Sequence, residues 1–210
     1  MPELKDNPTM KDYQAYVAEL VEERGFADET VPEIFILFVE EVGELARAIF
    51  TDTDKPEVRL EKISHEVSDL FTYLLDIANH YDADVERVFR KQYENQASSL
   101  KLSPALRDYQ EFIGHSKGRG HPSTEGTAQI VIGFVSEVGE LARSIRKSVG
   151  VKIDRSVEAK YRAVDTQIAN CFSYIVMIAN ALRIDIEQAF RAKEELNRAR
   201  FWSRAKDKSG

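Results

Sequence analysis

The sequence of 210 residues contains one cysteine, Cys171. A single cysteine excludes an intramolecular disulfide and a zinc site built from cysteine thiolates. No apolar run reaches the roughly 18–20 residues that a transmembrane helix needs. The opening residues, MPELKDNPTM, lack the apolar core of a secretory signal peptide. From these absences we expect a soluble, cytoplasmic protein.

The chain also lacks an excess of positive charge. It carries 29 lysines and arginines against 36 aspartates and glutamates, which gives a formal net charge of −7. Such a chain is not drawn to nucleic-acid phosphates or to an anionic membrane surface. We therefore expect no nucleic-acid partner and no membrane partner. The hydrophobic content of 43% is ordinary for a globular protein with a core.

One phrase occurs twice in the chain. FVEEVGELARAI at 38–49 returns, 96 positions later, as FVSEVGELARSI at 134–145. Two further pairs of blocks match in the same order, at offsets of 96 and 101: MKDYQAYV (10–17) with LRDYQEFI (106–113), and LFTYLLDIANHYDADVERVFR (70–90) with CFSYIVMIANALRIDIEQAFR (171–191). These matches indicate two homologous units, residues 1–103 and 104–210.

Each unit is predicted to form four helices. Apolar residues recur at helical spacing, and no stretch alternates apolar and polar residues as a strand does. The predicted helices of the first unit cover about 10–23, 30–50, 57–80 and 85–98. Those of the second run from 103 to the loop GRGHPS (118–123), and over about 124–149, 154–182 and 186 onward. The predicted fold class is all-α.

Four carboxylates stand as two i,i+3 pairs, Glu41 with Glu44 and Glu66 with Asp69. At 100° per residue, Glu41 lies next to the apolar stripe of the second helix. Glu66 falls within the stripe of the third helix, and Asp69 lies at its edge. Consecutive helices joined by a short loop usually pack antiparallel, so the two pairs could meet.

Four carboxylates brought close together would repel one another, so a positive charge is needed to offset theirs. Burying carboxylates without partners is costly, and neighbouring carboxylates raise each other's pKa values. A hard divalent cation resolves the conflict, and Mg²⁺ prefers oxygen ligands. The alternative is a solvated acidic edge, paired with Lys62 or Arg47. Two pairs on facing helices favour the metal site.

EEVGE (40–44), followed after 21 residues by EVSD (66–69), resembles the EExxE…ExxD signature of the MazG-like all-α nucleoside triphosphate pyrophosphohydrolases. KQYEN (91–95) is similar to the Lys-x-x-x-Asn on the last helix of that family. The resemblance implies Mg²⁺-dependent hydrolysis of a nucleoside triphosphate, with Mn²⁺ as a substitute, to the monophosphate and pyrophosphate. It implies the following roles: metal ligands Glu41, Glu44, Glu66 and Asp69; catalytic residues Glu40 and Glu41; triphosphate contacts Lys91 and Asn95.

The second unit departs from that signature. Ser136, Gln167 and Asn170 stand where the first unit has Glu40, Glu66 and Asp69, whereas Glu137 and Glu140 remain. We therefore expect this copy to bind no metal. Its Lys193, Asn197 and Arg198 could still contact a substrate bound across the boundary between the units.

The resemblance also implies an arrangement, since the family builds its sites between two four-helix units. It implies a pseudo-dimer within one chain, whose second unit either completes the active site or serves only as a scaffold. A homodimer of the tandem chain, and a role in cleansing the nucleotide pool, are further implications. The rival hypothesis is a non-catalytic module that binds nucleotide or protein. A ferritin-like redox bundle is excluded, because no Glu-x-x-His pair accompanies the carboxylates.

Overall fold

The computed structural model describes residues 2–51, 54–94, 96–115, 126–151, 163–200 and 202. The protein is all-α, as predicted. Its described parts hold eight α-helices: α1 Met10–Glu23, α2 Val31–Phe50, α3 Pro56–His80, α4 Val85–Gln92, α5 Leu106–His115, α6 Thr127–Ser148, α7 Val164–Leu182 and α8 Ile186–Arg198. Within these parts there is no strand, and an isolated bridge joins Thr9 to Ala105.

Most predicted helix boundaries agree with these bounds to within a few residues. The fourth helix is shorter than predicted: α4 ends at Gln92, and a separate 3₁₀ turn follows at Ala97–Ser99. The fifth helix begins at Leu106 rather than at residue 103. The predicted GRGHPS loop and the predicted first turns of the seventh helix lie outside the described residues.

Side-chain caps explain where several helices begin. Asp12 accepts a hydrogen bond from the Thr9 backbone N–H at 2.7 Å, and the Thr9 hydroxyl accepts one from the Asp12 backbone N–H at 3.4 Å. Thr30 and Glu33 form the same reciprocal capping box at the start of α2. Asp84 caps α4 through the backbone N–H of its third residue at 2.9 Å. Each cap satisfies backbone donors that have no partner within the helix.

The two halves repeat one hydrogen-bonded junction. The Gln14 side-chain amide donates to the Asn79 side-chain oxygen at 3.1 Å and to the Ala83 carbonyl at 2.9 Å. Gln110 in the second half donates to the Asn180 side-chain oxygen at 3.1 Å. Matched residues thus attach the first helix of each half to the end of its third helix. The junction supports the interpretation that the halves are homologous.

The fourth helix of each half packs against the other half. Helix α8 lies against α3, and α4 lies against α7. Aromatic side chains make these contacts, with ring centroids 5.1–6.0 Å apart: Phe190 with Tyr13 and Phe71, and Phe89 with Tyr109 and Phe172. The exchange brings residues of the second half to the surface formed by α2 and α3.

Residues at matched positions of the repeat also contact each other. The ring centroids of Phe38 and Phe134 lie 6.2 Å apart, and those of Phe71 and Phe172 lie 6.0 Å apart. Such self-matched contacts are expected on a twofold axis, so they support the predicted pseudo-dimer, which stays a prediction. One hydrophobic cluster includes residues of both halves. Within the described ranges, none of the helices has the length and hydropathy that crossing a bilayer requires.

Candidate metal centre

Three carboxylates converge where α2 packs against α3. Glu41 comes from α2, and Glu66 and Asp69 come from α3. One oxygen of each lies within 4.8 Å of one oxygen of each of the others. All three side chains are half-buried. We name this group the acidic cluster; it unites three of the four carboxylates that the sequence predicted as metal ligands.

The surroundings hold protons on the acidic cluster. Burial raises the pKa of Glu41 to about 8, helped by a hydrogen bond to Glu66 and by the charge of Asp69. Burial also raises the pKa of Glu66 and that of Asp69. Without a cation, Glu41 and Glu66 therefore share a proton near neutral pH. A bound divalent cation would displace that proton.

Lys193 extends into the acidic cluster from α8, in the second half of the chain. It forms an ion pair with Asp69 and is only 8% exposed. The charge of Lys193 lowers the pKa values of Asp69, Glu66 and Glu41, against the effect of burial. The sequence predicted Lys193 as a substrate contact, and the exchange of fourth helices explains how it reaches a site in the other half.

Two of the predicted residues lie outside the acidic cluster. The Glu44 side chain is 49% exposed and pairs with Arg47 at 2.9 Å. Glu140, its counterpart, pairs with Arg143 at 2.6 Å in the same i,i+3 manner. Glu40 is exposed on the outer face of α2. Glu40 and Glu44 lie close to Glu41 along α2, but neither contributes an oxygen to the three-carboxylate group of the acidic cluster.

The Lys-x-x-x-Asn motif of the first half occupies a different place. Lys91 is exposed on α4, the helix that packs against α7. Asn95 lies outside the described residues. The repeat offset of 101 aligns Gln92, not Lys91, with Lys193. The two motifs therefore stand one residue out of register, and the structure does not bring Lys91 beside the acidic cluster.

Asn197 and Arg198 lie one turn beyond Lys193. The Asn197 amide donates to the Glu194 carboxylate at 3.2 Å. Its own side-chain oxygen is buried and has no hydrogen-bond partner among the described residues. Arg198 hydrogen-bonds to the Tyr16 hydroxyl, a contact that raises the pKa of Arg198. Of these two residues, Asn197 lies near the acidic cluster, because it lines the same cavity as Glu41 and Asp69.

A cavity of about 390 Å³ adjoins the acidic cluster. It is lined by Glu41 and Asp69 and by side chains of several chemical types, which include Arg24, Arg200, Trp202, Tyr73, Asp76 and Asn197. The Arg24 guanidinium lies 5.0 Å from the Trp202 ring centroid. The volume of the cavity and its mixed lining are typical of a small-molecule site.

Three residues that line this cavity, Asp76, Arg24 and Arg200, were not predicted from the sequence. Asp76 stands seven residues after Asp69, so the two share one face of α3. That spacing was a usable signal. Arg24 and Arg200 offered none, because they stand at the ends of helices that meet only in the folded chain.

The matched position in the second half holds one carboxylate, Glu137, and two neutral amides, Gln167 and Asn170, in place of the other two carboxylates. We name this group the neutral network. The Asn170 side-chain amide donates to Glu137 at 2.7 Å and to Gln167 at 3.3 Å. An amide donates as well as accepts, so Asn170 satisfies the one remaining carboxylate without a cation. The Gln167 side-chain nitrogen is buried and has no hydrogen-bond partner among the described residues. Among the described residues, the acidic cluster of the first half is the group whose geometry suits a metal ion. That the second copy binds no metal stays a prediction.

Comparisons of the chain with protein-family models, with curated proteins and with solved structures give no match. The resemblance to the MazG-like family therefore stays a prediction.

Proposed function

We propose that the protein is a Mg²⁺-dependent nucleoside triphosphate pyrophosphohydrolase of the MazG-like kind. The observation that carries the proposal is the acidic cluster, formed by two consecutive helices and completed by a buried lysine from the other half of the chain. The substrate is a ribo- or deoxynucleoside triphosphate, and the products are the monophosphate and pyrophosphate.

The acidic cluster suits Mg²⁺. All its donors are carboxylate oxygens, the hard ligands that Mg²⁺ prefers over nitrogen or sulfur, and Mn²⁺ accepts the same set. Glu41, Glu66 and Asp69 would hold the ion. When bound, Mg²⁺ neutralises phosphate charge and lowers the pKa of water. The raised pKa values of Glu41 and Glu66, caused first by burial, support the proposal, because a bound cation would favour their ionised forms.

The chain's own residues would supply positioning and proton transfer. The Lys193 ammonium, which pairs with Asp69, would bind a phosphate oxygen of the substrate. Water attacks the α-phosphorus, the bond to the bridging oxygen breaks, and pyrophosphate leaves. The resemblance gives Glu41 a catalytic part as well, in which its carboxylate, ionised in the cation-loaded site, would take the proton of the attacking water. Glu40, exposed beside it, is the further candidate to orient that water.

The adjoining cavity supports a nucleotide substrate. Arg200 and Arg24, the latter paired with Glu194 at 2.8 Å, bring positive charge to a lining that also carries four carboxylates. Trp202 offers an aromatic ring for stacking, with Phe26 at its edge at 6.0 Å. The Arg24 and Arg200 guanidinium groups already lie over this ring, 5.0 and 5.7 Å from its centroid, and a base would share the ring with them. Phosphates would lie toward the acidic cluster and Lys193. The second half thus contributes to the site as well as to packing.

The rival function is a nucleotide-binding module without turnover. The neutral network of Glu137, Gln167 and Asn170 favours it, since this chain has already exchanged one acidic site for amides. The rival requires that the cavity bind nucleotide although the acidic cluster performs no hydrolysis.

A substrate panel separates the two functions. Ordinary and modified ribo- and deoxynucleoside triphosphates are incubated with the protein and Mg²⁺, and the products are separated by ion-exchange chromatography. We expect monophosphate and pyrophosphate from at least one substrate, and none when the metal is chelated. Diphosphate and phosphate would place the cut at another bond and contradict the proposal. Nucleotide binding without turnover would favour the module.

A further inference from the structure

A second buried carboxylate, Asp76, lines the cavity beyond the acidic cluster. It is 6% exposed, and burial raises its pKa to about 6. Its carboxylate Oδ1 lies 3.3 Å from His80 Nδ1, and His80 is the one partner of this carboxylate among the described residues. Asp76 therefore keeps acceptor capacity toward the cavity that it lines.

The fold does not require this carboxylate. The repeat aligns Asp76 with Met177 and His80 with Ala181, and α7 forms the same helix with those apolar residues. Met177 is itself buried. A buried carboxylate with a raised pKa costs stability, which a methionine at the same place avoids. The half that keeps the acidic cluster keeps Asp76, and the half that lost it has neither.

The spacing along α3 fits one ligand that bridges both carboxylates. Asp69 and Asp76 are seven residues apart, which is about 10 Å along the helix axis. Tyr73 lies between them on the same face, and all three line one cavity. A nucleotide with its phosphates at the acidic cluster would carry its base toward Asp76 over that distance.

We infer that Asp76 selects the base of the nucleotide, and that it selects guanine. This inference rests on the proposed function for the position of the phosphates. An ionised carboxylate only accepts hydrogen bonds. Guanine presents two adjacent donors, N1–H and the exocyclic amine, which the two oxygens of a carboxylate can meet together.

The other bases match a carboxylate less well. Adenine and cytosine place a ring-nitrogen acceptor beside their amine, and that acceptor would face a carboxylate oxygen. Uracil and thymine flank their single N–H with two carbonyl oxygens. Hypoxanthine keeps N1–H but lacks the exocyclic amine of guanine. Its nucleotide can therefore form one of the two hydrogen bonds to the carboxylate, and it differs from the guanine nucleotide in little else. A site that pairs with polar groups rejects ligands lacking them, because its own buried groups are left unpaired.

The test measures binding, so it does not depend on turnover. Calorimetry with Mg²⁺ gives the Kd of GMP, IMP, AMP, CMP and UMP for the wild type and for Asp76→Met, which installs the residue of the second half. Asp76→Asn is the isosteric second variant, should the methionine disturb folding. Asp82→Asn, an exposed aspartate near the end of the same helix, is the matched control for loss of one charge.

We expect wild type and Asp82→Asn to bind GMP about tenfold or more tightly than IMP and AMP, the size of one hydrogen bond to a charged group. In Asp76→Met and Asp76→Asn the preference for GMP over the other nucleotides should fall below about threefold. Equal binding of all five by the wild type would overturn the inference, as would a guanine preference that survives both variants or an absence of nucleotide binding. Discrimination without pyrophosphate release would sustain it while refuting the proposed reaction.

Discussion

Copying the second half's neutral site into the first half should stabilise the metal-free protein. The change is Glu66→Gln, Asp69→Asn and Lys193→Gln together, because the repeat aligns these positions with Gln167, Asn170 and Gln92. The triple variant removes two carboxylates and the cation that pairs with one of them. It leaves Glu41 with amide partners, as Glu137 has in the second half.

The size of the gain follows from the geometry. The oxygens of the acidic cluster lie within 4.8 Å of one another, and two ionised carboxylates at that limit repel each other by about 3.5 kcal/mol at an effective dielectric constant of about 20. The proton shared by Glu41 and Glu66 relieves part of this repulsion, and Lys193 offsets part of the rest. We therefore expect the free energy of unfolding to rise by about 1–2 kcal/mol. For a chain of this size the gain corresponds to a Tm increase of about 2–8 °C.

Lys193→Gln alone is the matched control. It removes the buried cation and leaves all three carboxylates, so it should lower the free energy of unfolding by about 3 kcal/mol. Urea titration and calorimetry are run at pH 8, with a chelator and again with excess Mg²⁺. Mg²⁺ should raise the Tm of the wild type and leave that of the triple variant unchanged. A triple variant no more stable than the wild type under chelation would refute the electrostatic reasoning.

Two further predictions concern pH and packing. In a chelator, the free energy of unfolding of the wild type should fall as pH rises from about 5 to about 8. The folded acidic cluster keeps protons that the unfolded chain has already released, so the folded state binds more protons over this range; urea titrations across that range measure the slope. Gly133→Ala should cost about 1–3 kcal/mol, because the new Cβ would lie 2.6 Å from the Tyr174 ring. Gly139→Ala, in the same helix with nothing within 4 Å of that Cβ, should stabilise by about 0.5–1 kcal/mol, as thermal unfolding would show.

Each of these predictions has a clear contrary outcome. A free energy of unfolding that stays flat or rises over the pH range would show that the cluster does not hold its protons. Saturating Mg²⁺ should abolish the slope, because the cation replaces the proton. Equal stabilities for the two alanine variants would show that Tyr174 moves aside at little cost.

The sequence predicted the residues of the acidic cluster because they lie on two continuous helices. Along one helix the spacing fixes the face, so Glu66 and Asp69 stay together whatever else the chain does. Glu44 shows the limit of that argument. Glu44 follows Glu41 at the same i,i+3 spacing as Asp69 follows Glu66, yet its side chain is 49% exposed and pairs with Arg47. The spacing alone therefore does not decide whether both members of a pair enter the cluster.

What the sequence could not show depends on packing between distant segments. Lys193 reaches Asp69 because α8 crosses to the other half, and no local pattern encodes that exchange. The resemblance also implied a triphosphate contact for Lys91. Because α4 packs against α7 in the other half, Lys91 is not brought beside the acidic cluster.

The most direct test of the central claim compares Glu41→Gln with Glu137→Gln. Both remove one carboxylate at the same position of the repeat, one within the acidic cluster and one within the neutral network. Release of pyrophosphate from the best triphosphate of the panel is measured with Mg²⁺ in excess. We expect Glu41→Gln to lose activity by about 100-fold or more, and Glu137→Gln to stay within a few-fold of the wild type. Wild-type turnover in Glu41→Gln, or equal losses in both variants, would contradict the assignment of the acidic cluster as the metal centre.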